Sequence, residues 1–148
     1  MGSCDYKALL DHHFHDNNPC GISKEYPNEV EHLELNECTR DVSGHLKSLK
    51  LSADEGIDTE LKLLLARVGI FDVDASHKSV TICPRHRGEQ GLRWRTRKIN
   101  CSIPNEIIQH VDSAKGSHRV TSSLSAIILK NTGTLVPVGL RKCAANHD

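Results

Sequence analysis

Aromatic residues are scarce in this chain of 148 residues, of which they make up only 3%. The complete set is Tyr6, Phe14, Tyr26, Phe71 and Trp94. Because aromatic side chains usually supply much of the buried surface of a core, so few of them leave the core dependent on aliphatic residues or on a cross-link. The length favours a single domain.

Long hydrophobic runs are also absent, and so is a basic region followed by an apolar stretch at the N-terminus. No segment approaches the roughly 18 apolar residues of a membrane span, and no secretory signal is visible. We therefore expect a nuclear or cytoplasmic protein without a membrane partner. Thiols stay reduced in those compartments, so six cysteines among ten histidines indicate metal binding rather than disulfides.

Net charge is zero, but the two halves of the chain differ. Residues 1–78 contain 15 acidic and 8 basic residues, a net charge of −7, and residues 79–148 contain 4 and 11, a net charge of +7. Such a division is typical of a surface for an acidic partner. It is equally compatible with two halves that face each other within one fold.

The predicted fold class is α+β, a small zinc-stabilised domain with two or three helices packed on a short β-sheet. Residues 1–35 alternate polar and turn residues with little periodicity, which predicts a weakly ordered N-terminal segment. The zinc-binding domain is expected over residues 36–148. The stretch around residues 36–51 is expected to form a short helix or turn that carries Cys38 and His45.

The clearest helix is predicted from Ala53 to Val68, with Ser52 and Glu55 as its capping box. Gly69 suits the left-handed position that ends such a helix. The later elements are predicted from β-branched runs, prolines and caps: a strand over 79–82, a second strand over 92–99, a helix over 105–111 after Pro104, a helix begun by Thr121 or Ser122, and an edge strand over 135–138.

The central motif is Cys83-Pro84-Arg85-His86. A Cys-x-x-His step places a thiolate and an imidazole on one turn, and zinc accepts both in a tetrahedral site that needs two more ligands. Cys101, beyond the arginine-rich loop, is the predicted third ligand. For the fourth ligand we favour Cys143, which would connect the last predicted strand to the Cys83–His86 turn. His110 and His118 are the alternatives.

A second metal site would have to use Cys20, Cys38, His45 and one nearby histidine, either His12, His13 or His15. The spacing of these residues matches no known ligand pattern. We therefore favour the interpretation that they are incidental thiols and imidazoles in a polar stretch.

Basic residues cluster around Trp94 in the sequence, and Glu89 is the only acidic residue among them. The set is Arg85, Arg87, Arg93, Arg95, Arg97 and Lys98. Guanidinium groups bind phosphates in a bidentate manner, so this set is a candidate surface for nucleic acid or for an acidic protein. Alternation along a strand would place Trp94 on the opposite face, as a core anchor. The competing interpretation is that these arginines pair with the acidic first half.

Catalysis is not expected. A thiol enzyme needs a nucleophile, a separate base and an orienting group in a cleft, whereas Cys83 and His86 on one turn suit a shared metal. The predicted function is a non-enzymatic, regulatory zinc module that contacts nucleic acid. A protein-interaction adaptor that uses the basic strand or the acidic first half is the alternative, and a metallo- or thiol-dependent enzyme is the third hypothesis.

The second half of the chain resembles the Cys-Pro-x-His-Arg modules of invertebrate proteins. The resemblance is carried by residues 82–87, the run Gly91-Leu92-Arg93-Trp94-Arg95, Cys101 with Pro104, and residues 135–139 before Cys143. It implies Cys143 as a ligand and implies no particular activity. The pattern has a histidine soon after the equivalent of Cys101, whereas the next histidine in this chain is His110.

Overall fold

The computed structural model describes residues 2–15, 17–51, 57–95 and 118–142. These residues form helices α1 (Asp5–His13), α2 (Ser43–Ser48), α3 (Glu60–Ala66), α4 (Ala75–Lys78), α5 (Pro84–Gln90) and α6 (Ser122–Thr132), with a 3-10 turn at Leu35–Glu37. The strands are β1 (Leu33–Glu34), β2 (Thr81–Ile82), β3 (His118–Arg119) and β4 (Arg141–Lys142). None of the helices in these ranges is long and apolar enough to cross a membrane.

The predicted α+β class is confirmed, with more helices and less sheet than expected. Strand β1 pairs antiparallel with β2, with Leu33 opposite Ile82. Strand β3 pairs antiparallel with β4, with Arg119 opposite Arg141. The strands therefore form two separate pairs, and the helices supply most of the regular structure in the described parts of the chain.

Helix α3 is the centre of the hydrophobic core. Leu63, Leu64 and Leu65 are all completely buried, because other parts of the fold pack against this helix from more than one side. Leu64 and Leu65 pack against residues of α1 and β2, whereas Leu63 packs in a second cluster with residues of α2 and Trp94. The helix thus joins two parts of the core.

Both ends of α3 use local hydrogen bonds. Gly69 adopts the predicted left-handed conformation, with φ of 84°, and the Ile70 N–H donates to the Leu65 carbonyl at 2.9 Å. At the other end the cap is Thr59, whose hydroxyl accepts from the Lys62 N–H. The helix therefore begins later than predicted, at Glu60, and the capping box predicted over 52–55 lies outside the described residues.

The N-terminal segment contains a helix where we predicted weak order. In α1, Tyr6 and Leu10 are one helical turn apart and both are buried. The Tyr6 hydroxyl donates to the Leu64 carbonyl at 2.6 Å, and the backbone N–H and carboxylate of Asp5 form reciprocal hydrogen bonds with Thr81. The polar residues between these two positions obscured the apolar face of the helix in the sequence pattern.

The strand predicted over 79–82 is confirmed in its last two residues, which form β2. Residues 92–95 form a turn after α5 instead of the start of the second predicted strand, because the Arg93 N–H donates to the Gly88 carbonyl and the Trp94 N–H to the Gly91 carbonyl. Trp94 is buried in the core, as predicted. The remainder of that strand and the helix predicted over 105–111 lie outside the described residues.

Helix α6 is confirmed with its predicted cap, since the Thr121 hydroxyl accepts from the Leu124 N–H, and it ends at Gly133 in the left-handed region. The edge strand predicted over 135–138 is wrong. This stretch has no strand pairing, and the Ser125 hydroxyl binds the Val136 carbonyl at 2.6 Å. The Val136 carbonyl therefore accepts from a side chain of α6 and is not available to pair with a neighbouring strand. Strand β4 begins later, at Arg141.

Candidate metal centre

Four side chains from distant parts of the chain converge beside α5. Cys4, Cys20, Cys83 and His86 each offer one ligand atom, and these four atoms all lie within 4.8 Å of one another. This is the group of potential metal ligands found among the described residues. Two members come from the N-terminal segment and two from the predicted Cys-x-x-His step.

The Cys-x-x-His half of the centre is built by the junction of β2 and α5. Cys83 follows Ile82 directly and occupies the N-cap of α5, with Pro84 at the first helical position, where its lack of an N–H costs nothing. The Cys83 sulfur accepts from the His86 N–H at 3.4 Å. The same turn brings the His86 Nδ1 to 3.0 Å from that sulfur.

The N-terminal half is built by the start of α1 and the chain around Cys20. Cys4 is the N-cap of α1, and its N–H donates to the Cys20 sulfur at 3.1 Å. The Arg85 N–H donates to the Gly21 carbonyl at 3.0 Å, which attaches the residue after Cys20 to the first turn of α5. Both cysteines are thereby held against the Cys83–His86 turn.

The distances among three of the four atoms, the two N-terminal sulfurs and the His86 Nδ1, are close to those of a tetrahedral zinc site. Zinc–ligand bonds of ordinary length place two sulfurs about 3.8 Å apart, and a sulfur about 3.6 Å from a nitrogen. The Cys4 and Cys20 sulfurs are 3.6 Å apart. Each of them lies 3.8 Å from the His86 Nδ1, compared with 3.0 Å for the Cys83 sulfur. Only small shifts would equalise these contacts around one ion.

Burial and hydrogen bonding determine which sulfur carries charge. Cys83 and His86 are completely buried and Cys4 nearly so, whereas Cys20 is partly exposed. A hydrogen bond shared with Cys4 lowers the pKa of Cys83. That contact, followed by burial, raises the pKa of Cys4. The cluster therefore favours a thiolate at Cys83, which is the form of cysteine that binds metal.

Two of the four predicted zinc ligands, Cys83 and His86, belong to this group. The structure brings Cys83 and His86 together, as the motif indicated. Cys101, Cys143 and His110 lie outside the described residues, and His118 is the first residue of β3. Cys4 and Cys20 complete a set of four without them.

Cys4 and Cys20 were missed as partners of Cys83. Their separation from Cys83 along the chain is too large for a spacing rule to connect them. One signal was available, namely the buried face of α1. Tyr6 and Leu10 at helical spacing predict a short helix that would begin close to Cys4.

The second set of ligands considered from the sequence does not come together in the described structure. Cys20 belongs to the centre above. Cys38 is buried in the core beside Leu35, and its thiol donates to the Glu34 carbonyl at 3.8 Å. His45 lies in α2 and its Nε2 is 3.1 Å from Arg67. The favoured interpretation of incidental thiols and imidazoles is therefore wrong for Cys20, which belongs to the group of four potential ligands, whereas Cys38 and His45 lie apart from each other.

Arg67 and His45 form a separate buried polar network. The completely buried Arg67 donates to the carbonyls of Gln90 at 2.7 Å and Val138 at 3.1 Å, and its guanidinium lies 4.1 Å from the ring of Trp94. Because arginine only donates hydrogen bonds, the His45 Nε2 must accept and the imidazole must be neutral. Burial, then the charges of Arg67 and Arg95, lower the pKa of His45 to about 4.

We expect this network to make stability depend on pH. In the unfolded chain His45 titrates near 6.5, so its contribution is fully present above that pH and is lost as the pH falls toward 4. Between pH 7 and pH 5 the loss is about 2 kcal/mol. The measurement compares the free energy of unfolding of wild type and His45→Gln at both pH values, so that protonation elsewhere cancels. A difference that is the same at pH 7 and pH 5 would contradict this assignment.

The predicted basic surface is largely engaged within the molecule. Arg87 is buried and binds Glu60 with two hydrogen bonds, of 2.7 and 2.8 Å. Arg85 pairs with Glu89 at 3.0 Å, and Arg93 with Glu25 at 3.1 Å. The pairs of Arg87 with Glu60 and of Arg93 with Glu25 support the interpretation that the acidic and basic halves of the chain face each other, whereas the Arg85–Glu89 pair lies within the basic half.

Arg95 is another exposed member of the basic set. Arg95 donates to the backbone carbonyls of Leu92 and Trp94, while Arg97 and Lys98 lie outside the described residues. Of the described arginines of this set, Arg85 and Arg93 retain exposed surface with a carboxylate as their partner. They line a cleft of about 570 Å³ together with Ile22 and Glu25.

The fold and the centre define a class, a small α+β domain with a Cys3His cluster that could hold a metal ion. Comparison with known proteins adds no particular relative. No protein-family model matches the sequence, and no curated protein or solved structure matches it either. Its function must therefore be argued from the centre itself.

Proposed function

We propose that this protein is a non-enzymatic binding module whose fold is held together by one structural zinc ion bound to Cys4, Cys20, Cys83 and His86. The single observation that carries the proposal is the convergence of these four donor atoms within 4.8 Å of one another. No packing requirement of a core brings three thiols and an imidazole so close. A shared cation explains the arrangement directly.

Zinc is the metal that this set of donors fits best. Three thiolates and one imidazole form one of the standard tetrahedral structural sites. Soft sulfur ligands select zinc, monovalent copper or iron–sulfur clusters over magnesium, calcium or manganese. The single imidazole and the short distances between the four donors favour one mononuclear zinc ion over a cluster.

A structural role follows from the number of ligands. Catalytic zinc sites retain a position for water or substrate, whereas structural sites are closed by four protein ligands. Here four protein side chains supply the full set, and three of them are at most 3% exposed. We therefore assign the metal to stability and propose that function lies in the surfaces that it holds in place.

Metal analysis of the purified protein tests the centre. We expect one zinc per chain, and loss of it in Cys4→Ser, Cys83→Ser and His86→Ala. Cobalt substitution should give the thiolate charge-transfer and ligand-field bands of a tetrahedral Cys3His site. The matched control is Cys38→Ser, which removes a buried thiol outside the centre and should retain the metal. Retention of zinc in Cys4→Ser, with loss in Cys101→Ser or Cys143→Ser, would overturn the ligand set.

The partner that we propose first is a protein surface, because internal carboxylates already bind three arginines of the basic set. Nucleic acid is the second candidate and is favoured by one observation. Arg85 and Arg93 remain partly exposed along one cleft, and Arg97 and Lys98 follow in sequence. A phosphate would have to compete with Glu89 and Glu25 for these guanidinium groups.

Salt-dependent binding distinguishes the two candidates. If nucleic acid is the partner, Arg93→Glu weakens binding of a mixed-sequence oligonucleotide and reduces the slope of log K against log salt by about one phosphate contact. The control is Lys47→Glu, on an exposed residue of α2. Absence of binding at low salt, or equal weakening by both variants, would leave the protein partner as the remaining candidate.

A further inference from the structure

The four ligands of the proposed centre are unequal in solvent access and in position along the chain. Cys83 and His86 are completely buried and Cys4 is 3% exposed, whereas Cys20 is partly exposed. Of the four ligand residues, Cys20 is therefore the most accessible to a small solute. The Cys4 sulfur lies 3.6 Å from the Cys20 sulfur.

This geometry is close to that of a disulfide precursor. Sulfur atoms in a disulfide are about 2.05 Å apart, so the Cys4 and Cys20 sulfurs need to approach by about 1.5 Å. Neither residue lies inside a regular element, because Cys4 is the N-cap of α1 and Cys20 lies in the irregular chain between α1 and β1. Their side chains can therefore move without breaking a helix or a strand.

We propose that Cys4 and Cys20 form a reversible disulfide when a hydroperoxide oxidises the centre, and that this oxidation releases the zinc ion. The inference rests on the proposed function, because it assigns a regulatory chemistry to the same site. Its oxidant belongs to the class of hydrogen peroxide and small organic hydroperoxides. Cys20 is the residue attacked first, and Cys4 is the resolving residue.

The reaction balances in two steps. The Cys20 thiolate attacks a peroxide oxygen, so that an S–O bond forms, the O–O bond breaks, and the departing hydroxide takes a proton to become water. The Cys4 thiolate then attacks the Cys20 sulfur, an S–S bond forms, the S–O bond breaks, and a second hydroxide becomes water. Two thiolates are oxidised and one peroxide is reduced, while zinc leaves as Zn²⁺ because two of its four ligands are gone.

The two cross-links have different mechanical consequences. Zinc connects the N-terminal segment, through Cys4 and Cys20, to the β2–α5 junction, through Cys83 and His86. A Cys4–Cys20 disulfide lies wholly within the N-terminal segment. Oxidation therefore exchanges a link between distant parts of the fold for a local loop, and α1 keeps only its packing and hydrogen bonds, such as that from Tyr6 to Leu64.

The experiment follows zinc and thiols together on the purified full-length protein at neutral pH. Zinc content is measured first, hydrogen peroxide is then added, and released zinc is recorded with a chromogenic chelator. Samples are analysed for intact mass and by non-reducing tryptic mapping, where cleavage after Lys7 separates Cys4 from Cys20. We expect one zinc released for each disulfide formed, with Cys4 linked to Cys20, and recovery of zinc binding after reduction by a dithiol.

The control variant and the first of the outcomes that would contradict the proposal involve cysteines other than Cys4 and Cys20. Cys38→Ser should show the same release and the same link. A first disulfide that contains Cys83, zinc release without any disulfide, or zinc retained after complete thiol oxidation would each overturn the proposal. Protein purified without zinc would instead refute the proposed function, and the mapping would still show whether Cys4 pairs with Cys20.

Discussion

Removal of zinc is expected to lower the free energy of unfolding by more than about 5 kcal/mol and to leave much of the chain unfolded at 25 °C. Structural zinc ions bind small domains with about 10–16 kcal/mol at neutral pH. Whole domains are stable by only about 5–15 kcal/mol. In this protein the ion would connect residues 82 positions apart, Cys4 and His86, in a chain with few aromatic residues to stabilise its core.

Circular dichroism and urea unfolding, with and without a strong chelator, measure this effect. Cys83→Ser should resemble the chelated wild type, because the loss of one sulfur from the buried turn removes the metal. Cys38→Ser should lose far less stability and should still respond to the chelator. Identical melting of the wild-type protein before and after chelation would refute a structural metal.

Breaking the buried ion pair between Glu60 and Arg87 has the second largest expected effect. Glu60 is completely buried at the start of α3, and it binds Arg87 through both carboxylate oxygens and the Arg40 N–H at 2.9 Å. Arg87→Ala leaves the buried Glu60 carboxylate without its guanidinium partner, which costs about 3–5 kcal/mol, and we expect the free energy of unfolding to fall by that amount. Glu60→Ala should cost less, because Arg87 retains Glu29 at 3.7 Å.

Urea unfolding of the two single variants and the double variant tests the pair. The double variant should be less destabilised than the sum of the singles, because it leaves neither charge alone. The matched control is the exposed pair between Lys62 of the same helix and Asp58, which precedes the helix, for which Lys62→Ala should cost less than about 1 kcal/mol. Additive losses at Glu60 and Arg87 would show that the two charges are not coupled.

Local chemistry explains which elements could be predicted. The Thr121 cap of α6 and the left-handed Gly69 that follows α3 each depend on residues within one turn of each other, so their signals survive in any tertiary context. Helix α1 and the stretch over 135–138 depend on distant contacts. Tyr6 needs the carbonyl of Leu64, and Val136 gives its carbonyl to Ser125.

The electrostatic predictions likewise separate into one that composition supports and one that depends on tertiary contacts. The opposite charges of the two halves were evident from composition alone. Whether the arginines would face a partner or the chain itself depended on the pairs that folding makes. Arg87 reaches Glu60, which lies 27 residues earlier, and Arg93 reaches Glu25. No periodicity connects residues so far apart.

The sequence by itself determined that the protein is a small α+β domain, poor in aromatic residues, with a Cys-x-x-His step at Cys83 and His86 that could hold a metal ion. That step is local, because an N-cap and the third residue of a helix are close whatever surrounds them. Only the tertiary structure decided that Cys4 and Cys20 join them. Cys4, at the start of α1, and Cys20, between α1 and β1, meet Cys83 because α1 packs on α3 and β2. Burial of apolar surface drives that packing, and it leaves no signature in the spacing of the cysteines.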